Sequence, residues 1–480
     1  DVVCAVPLAV EAVSPTHFKL RFNREGFNNY FLFKVSGAAG KLVRFDFEQT
    51  EITRRERKWW SLNPVYSYVK DLDDPASFVS EPPPAPARPT LAWNGPLLPD
   101  TRGQKWHYVP DVWEENGHLC WVMRFEEDHA YVAMRPPYTP GYNQRFLERV
   151  AQSPHARVLT IGHSPQGRPL QIVQIGGGSL ADEQARPCIL MYAREHASEQ
   201  DSSVVVQGAI EFLLSAEPEA RGLREGFTLL FIPMLDPDGA AAGSFARIAN
   251  TFHAVRPTVE SFSYAKYFRR WLGSSARIDI VIDVHNVESA ESPYLMCPLV
   301  SLDASERRLQ LHLYALISEI AWNRGFPSLP GAPRGLVPGD RLAGWLASTA
   351  GALVLPLEIN SQAPARHYTL AEVSASGAMI CAASSGFLAA TELQLLLDAR
   401  RLGHTGSSRN PVGAALGPRS TDNPFLDDLA RRLRAVLRHT RRSAGRIPGR
   451  HRYRSNALRA TAHALTCSMI APPSDRVRAP

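Results

Sequence analysis

The chain contains no uninterrupted run of 18 or more apolar residues, so nothing in it predicts a membrane span. Cysteine is scarce, and the six present (Cys4, Cys120, Cys188, Cys297, Cys381 and Cys467) stand singly, with no CxxC pair. Nothing in that pattern reads as a disulfide framework or a thiolate zinc site. It predicts sparse buried thiols and leans slightly towards a reducing, cytoplasmic compartment. No secretory leader is legible at the start. Lysine is absent from residues 400–480, where 17 Arg stand against 4 Asp, a net +13. The whole chain carries +6, so the other 399 residues carry −7. The body is therefore mildly acidic, and no nucleic-acid partner is expected from the high pI. The last 80 or so residues are Arg-rich and poor in strand patterns. They are expected to be a disordered tail, dispensable for folding and activity.

What is present is enough apolar sequence, 44% of 480 residues, for two folded domains at about 100–200 residues each. Residues 1–135 read as an antiparallel β-sandwich. The run YFLFKVSGAAGKLVRFDFEQ (30–49) alternates around a small-residue turn, and EPPPAPARPT (81–90) is a proline-rich loop. PPYTPGYNQRFLERV (136–150) marks a boundary that leads into a short amphipathic helix. Residues 136–399 then alternate near-continuous apolar strands with helices. The strands fall at 158–162, 170–176, 187–193, 227–235, 278–284 and 351–357. Such strands imply a mixed, mostly parallel sheet covered by helices on both faces, hence an α/β domain.

Four of these strands run into ionisable residues. PCILMYA leads to Arg194-Glu195-His196-Ala197-Ser198-Glu199, IDIVIDV to His285, GALVLPL to Glu358, and FTLLFIPML to Asp236-Pro237-Asp238-Gly239. Sites in open α/β sheets lie just beyond the carboxyl ends of strands, so these four ends point at one crevice. Two histidines and a glutamate suit a catalytic zinc that keeps one position for water. The expected ligands are His196, Glu199 and His285, holding one Zn²⁺ per chain. Glu358 is the expected general base, free of the metal. An HxxE spacing alone is a weak signal, and its strength here comes from the shared strand end. The other histidines, among them His163, His253, His312 and His367, read as structural or solvated. The stretch Gly162-His163-Ser164-Pro165-Gln166-Gly167 imitates a serine-hydrolase elbow. Its second glycine comes one place late and a strand follows, so it reads as a hairpin turn.

In this order, IGHSPQGRPLQIVQIG, YAREHASEQ, MLDPDGAAAGSFAR, VIDVHN and LPLEINS resemble the zinc metallocarboxypeptidases, in their cytosolic-carboxypeptidase-like branch, over residues 15 to 390. The resemblance implies hydrolysis of C-terminal peptide bonds, with a peptide or protein C-terminus as substrate. It implies that Arg247, after the Pro-Asp-Gly turn, faces the scissile carbonyl, and that Arg256 grips the substrate's carboxylate. The sequence departs from the family at Val255, where an asparagine is usual, and at Ser198 inside the zinc motif. It has no tyrosine in 334–351 for the family's substrate-side position. A zinc amidase or deacylase acting on acyl-amino acids, or a zinc-bearing binding module without turnover, are the alternatives. Oligomeric state is left open.

Overall fold

The computed structural model of the chain describes residues 5–23, 30–48, 62–77, 98–176, 186–274, 276–287, 296–298, 304–324, 334–337, 341–363 and 366–401. The Arg-rich segment expected to be a tail lies, beyond Arg401, outside the described residues.

Nine short strands come first: β1 (Leu8–Ser14), β2 (His17–Phe22), β3 (Leu32–Ser36), β4 (Leu42–Glu48), β5 (Val65–Ser67), β6 (His107–Tyr108), β7 (Val112–Glu115), β8 (His118–Arg124) and β9 (His129–Ala133). They form two sheets, ordered β1-β2-β4-β8-β7 and β3-β9-β5-β6. The alternation along β4 and β8 sends Phe45, Phe47, Leu119 and Trp121 inwards, onto Phe31, Val65 and Val132 from the other sheet. Phe31 stacks on Phe47 with centroids 4.8 Å apart, and Phe45 on Trp121 at 5.4 Å. The sandwich is antiparallel except where β2 pairs with β4 in parallel. Between these two strands the chain crosses to the second sheet as β3, and that excursion lets β4 return in the direction of β2.

After helix α1 (Pro140–Val150), capped by the Thr139 hydroxyl, which accepts from Tyr142 N at 2.9 Å, the texture changes as expected. The strands β10 (Ala156–His163), β11 (Pro169–Ile175), β12 (Cys188–Ala193), β13 (Thr228–Ile232) and β14 (Ile280–Asn286) are followed by a parallel pair, β15 (Met296–Pro298) with β16 (Arg334–Val337), and then by β17 (Leu353–Ile359). Six of them build one sheet in the order β10-β11-β13-β12-β14-β17. Strands β13, β12, β14 and β17 are mutually parallel, while β11 runs antiparallel to both β10 and β13. The serine-elbow imitation is the β10–β11 turn, as expected. Strand β13 stops at Ile232 rather than at 235, because Pro233 has no N–H to give the ladder.

Helices α2 (Gln200–Leu214), α3 (Pro218–Gly226), α4 (Pro237–Ala242), α5 (Val259–Gly273), α6 (Ala304–Arg324), α7 (Leu342–Ala350) and α8 (Leu370–Arg401) cover the sheet. Alternation divides the core. Ile280, Ile282, Val284, Leu355 and Leu357 face α2, α6 and α8, whereas Val281 and Val354 join Tyr264, Phe268, Leu342 and Leu346 on the opposite face. No helix among the described residues is long and apolar enough to cross a membrane.

Helices α2 and α8 approach backbone to backbone. A Cβ at Gly208 would stand 1.9 Å from the Ser374 carbonyl oxygen, and one at Gly377 would stand 1.8 Å from that of Val205. Gly208→Ala should therefore destabilise the fold by about 1–3 kcal/mol through overpacking. A urea midpoint no lower than that of the wild type would contradict this close packing.

Candidate metal centre and active site

The parallel register places the site. Val284 pairs with both Ala193 and Leu357, and His285 pairs directly with Glu358. The sheet alternation turns Asp283, His285 and Glu358 to the face of Val281 and Val354, away from the α2 side. Strand β12 ends at Ala193, where Arg194 adopts φ 65°. A left-handed conformation costs a non-glycine residue about 1–2 kcal/mol. Hydrogen bonds offset that cost. The fully buried Arg194 donates from Nε to the Ala197 carbonyl at 2.7 Å and from Nη1 to the Tyr138 carbonyl at 3.1 Å and Gln200 Oε1 at 3.2 Å. It thereby shapes the tight turn that carries His196 and Glu199 to the mouth of β14.

His196, Glu199 and His285 come together, all buried, with their candidate ligand atoms within 4.8 Å of one another. The Glu199 carboxylate lies between the two rings, its Oε1 2.9 Å from His196 Nδ1 and its Oε2 2.9 Å from His285 Nδ1. The backbone N–H of Asn286 donates to Oε2 at 3.0 Å. Burial would raise the Glu199 carboxyl, but the charges of His285 and His196 outweigh it and hold it well below the usual range. Burial pulls the His196 imidazole down. Two imidazole nitrogens and one ionised carboxylate, directed at a common point, fit zinc.

Behind His285 stands a second buried acidic pair. Its Nε2 lies 2.9 Å from Asp283 Oδ1, an ionic contact without hydrogen-bond geometry. Glu195 belongs to this cluster and accepts from the Tyr192 hydroxyl at 3.0 Å. Burial, then the charge of Asp283, pushes the Glu195 carboxyl up to about 8. A carboxylate behind a ligating histidine orients the ring and raises its basicity. The signal for this in the sequence was Asp283, a charge two residues before His285 in the buried strand run IDIVIDV.

Glu358 is buried, and its first perturbation is that burial; the charge of Glu199 adds to it, and its carboxyl is pushed up to about 8. The Pro-Asp-Gly segment is a helix start. Asp236 accepts from Gly239 N at 2.8 Å, and Asp238 accepts from Ser164 Oγ at 2.6 Å and Arg168 Nη1 at 2.7 Å, tying the β10–β11 turn to the site. A Cβ at Gly239 would meet Asp236 Oδ2 at 2.2 Å and Ala197 Cβ at 2.9 Å, so glycine alone fits beside the metal turn. Arg247 is held by two fully buried carboxylates, its Nε donating to Asp236 Oδ1 at 3.1 Å and its Nη2 to Glu260. Its side chain remains 30% exposed.

Arg256 is not brought to this cluster. It lies on an exposed loop beside Val255, which is fully solvent-exposed, and pairs with no described carboxylate. A different arginine is present instead. Arg341 precedes α7 and is buried, with Nε and Nη1 lacking any hydrogen-bond partner. Its charge acts on Glu195, Glu358 and His196. In sequence it looked like any loop arginine, and only its burial sets it apart. His367 is a buried structural histidine whose Nε2 lies 2.9 Å from Asn63 Oδ1.

Comparison with known proteins matches this arrangement. The sequence profile of the zinc carboxypeptidase family covers residues 144–250, which include His196, Glu199 and Arg247. Cytosolic carboxypeptidase 2 of Danio rerio is 34% identical over 135 residues, 26% of this chain and 19% of that protein. Cytosolic carboxypeptidase 4 of Mus musculus is 34% identical over 130 residues, 25% of this chain and 12% of that protein. The chain thus spans less than a fifth of these curated relatives. A metallo-carboxypeptidase from Burkholderia cenocepacia superposes with a TM-score of 0.62 at 19% identity, covering 80% of this chain and 97% of that one. One from Pseudomonas aeruginosa, in complex with (2-guanidinoethylmercapto)succinic acid, gives 0.63 at 17% identity over 80% and 97%. Residues 144–250 thus match the zinc carboxypeptidase family's profile, and the chain around them shares the fold of these metallo-carboxypeptidases.

Proposed function

We propose that the chain is a zinc-dependent metallocarboxypeptidase that hydrolyses the C-terminal peptide bond of a peptide or protein. The observation that carries this reading is the buried trio His196, Glu199 and His285, with Glu358 in register beside His285. Zinc at these three residues supplies Lewis acidity to a water and to the scissile carbonyl. The rest belongs to the chain. The Glu358 carboxylate takes a proton from the attacking water and returns it to the departing amine nitrogen. Arg247, fixed by Asp236 and Glu260, offers its guanidinium to negative charge developing on the carbonyl oxygen. His196, Glu199, His285 and Glu358 are buried, and low local polarity strengthens their mutual electrostatics. A cytoplasmic setting suits the free, buried Cys120, Cys188 and Cys381.

The carboxylate grip is assigned to Arg341 rather than to Arg256. A buried guanidinium with two unpartnered groups is costly unless something pairs with it, and a substrate carboxylate would do so bidentately. Arg341→Gln should raise KM for a free-acid peptide by about 10-fold or more, the loss of a charged hydrogen bond of about 1.5–3 kcal/mol. Arg256→Gln should change KM little. A reversed ranking of the two variants would return the grip to Arg256. The reading as a whole is tested by stripping metal with a chelator and restoring zinc. Hydrolysis should vanish and return, and hydrolysis that survives stripping would overturn it.

A further inference from the structure

We infer that Arg135 is a positioning residue through which the N-terminal sandwich sets the spacing of Glu199, His285 and Glu358, an inference that rests on the reading above. Arg135 follows β9 and is 2% exposed. Its Nη1 donates to Asp201 Oδ2 at 2.6 Å and to Ser361 Oγ at 2.7 Å. Its Nη2 donates to the Val287 carbonyl at 3.1 Å and to Asn360 Oδ1 at 3.1 Å. The four partners are not scattered. Asp201 stands two residues after Glu199, Val287 two after His285, and Asn360 and Ser361 two and three after Glu358. One rigid guanidinium thus ties together the chain just beyond two of the zinc-binding candidates and the general base.

The acceptors also bind each other. Ser361 N donates to Asp201 Oδ2 at 3.0 Å, and Asp201 N to Asn286 Oδ1 at 3.2 Å. Arg135 is itself held on the sandwich side, where the buried Tyr30 hydroxyl donates to its carbonyl. A planar guanidinium has fixed donor directions, so it dictates the separation of the three segments in a way that a flexible ammonium does not. Simple adhesion between the two regions is supplied elsewhere. Arg145 Nη1 pairs with Asp71 at 2.7 Å, with both side chains about half exposed.

The test compares Arg135→Lys with Arg145→Ala in the full chain. Two quantities are read: the visible absorption of the cobalt-loaded protein, which reports ligand geometry, and the split between kcat and KM on a free-acid peptide. Arg135→Lys should fold, shift the cobalt bands and lower kcat by about 10–10²-fold with KM little changed, since small misplacement of catalytic groups costs that much. Arg145→Ala should match the wild type in both. If Arg135→Lys does not fold, Ser361→Ala removes one neutral acceptor and should still shift the cobalt bands and lower kcat. A folded Arg135→Lys with wild-type bands and kcat, or a Ser361→Ala without effect in its place, would overturn the inference. A wild type that takes up cobalt but cleaves no peptide strikes the functional reading instead, and the bands of the variant then decide the role of Arg135 alone.

Discussion

Glu358→Gln is expected to lower kcat by about 10²–10⁴-fold, the usual contribution of a general acid–base group, while the protein keeps its fold and its zinc. The substitution is nearly isosteric, and Glu358 is not among the three residues that converge on the metal point. What it removes is an atom able to accept a proton. With no cation present, burial and the neighbouring Glu199 push the Glu358 carboxyl up to about 8, which favours its protonated form. A dication at the three ligands acts in the opposite direction and favours the carboxylate. The base is therefore ready where the metal is bound. An amide carries out neither half of the proton transfer at any pH. Steady-state kinetics with metal analysis on the same sample checks this, and near-normal turnover would remove Glu358 from its role.

The second large effect is expected at the ligands. His196→Ala should reduce bound zinc from about one per chain towards none, because two protein ligands do not make the three-ligand set of a catalytic zinc. Activity should fall with it. The loss is more than local. In the ion-free arrangement His196 and His285 both face the Glu199 carboxylate at 2.9 Å, so deleting one imidazole removes a partner from a buried charge. Metal content after gel filtration is the measurement. Full zinc occupancy in His196→Ala would show that the metal lies elsewhere.

Much of this site was legible in the sequence because strand ends are local. A run such as PCILMYA announces where β12 stops, and parallel pairing then brings the next residues of β12, β14 and β17 to one edge. That pairing sets His285 beside Glu358, and the turn at Arg194 brings His196 and Glu199 round to them. The arginines were not legible in the same way. Arg135, Arg194 and Arg341 are each buried, yet an arginine carries no mark in the sequence of whether it will be enclosed. Their partners lie as far as 226 residues away. The resemblance implied Arg256, which sits beside a fully exposed Val255, while Arg341 carries no mark of its burial in the sequence. The crossing that makes β2 and β4 parallel depends on which sheet β3 joins, and alternation within a strand does not encode that.

One measurement bears most directly on the central claim, that these residues remove a C-terminal residue from a peptide. Wild-type protein loaded with zinc is incubated with a peptide as its free acid and as its C-terminal amide, and the products are read by mass spectrometry. The free acid should lose one residue from its C-terminus, and the amide should remain intact because it offers no carboxylate to Arg341. Equal cleavage of both, or a cut inside the peptide, would contradict the account.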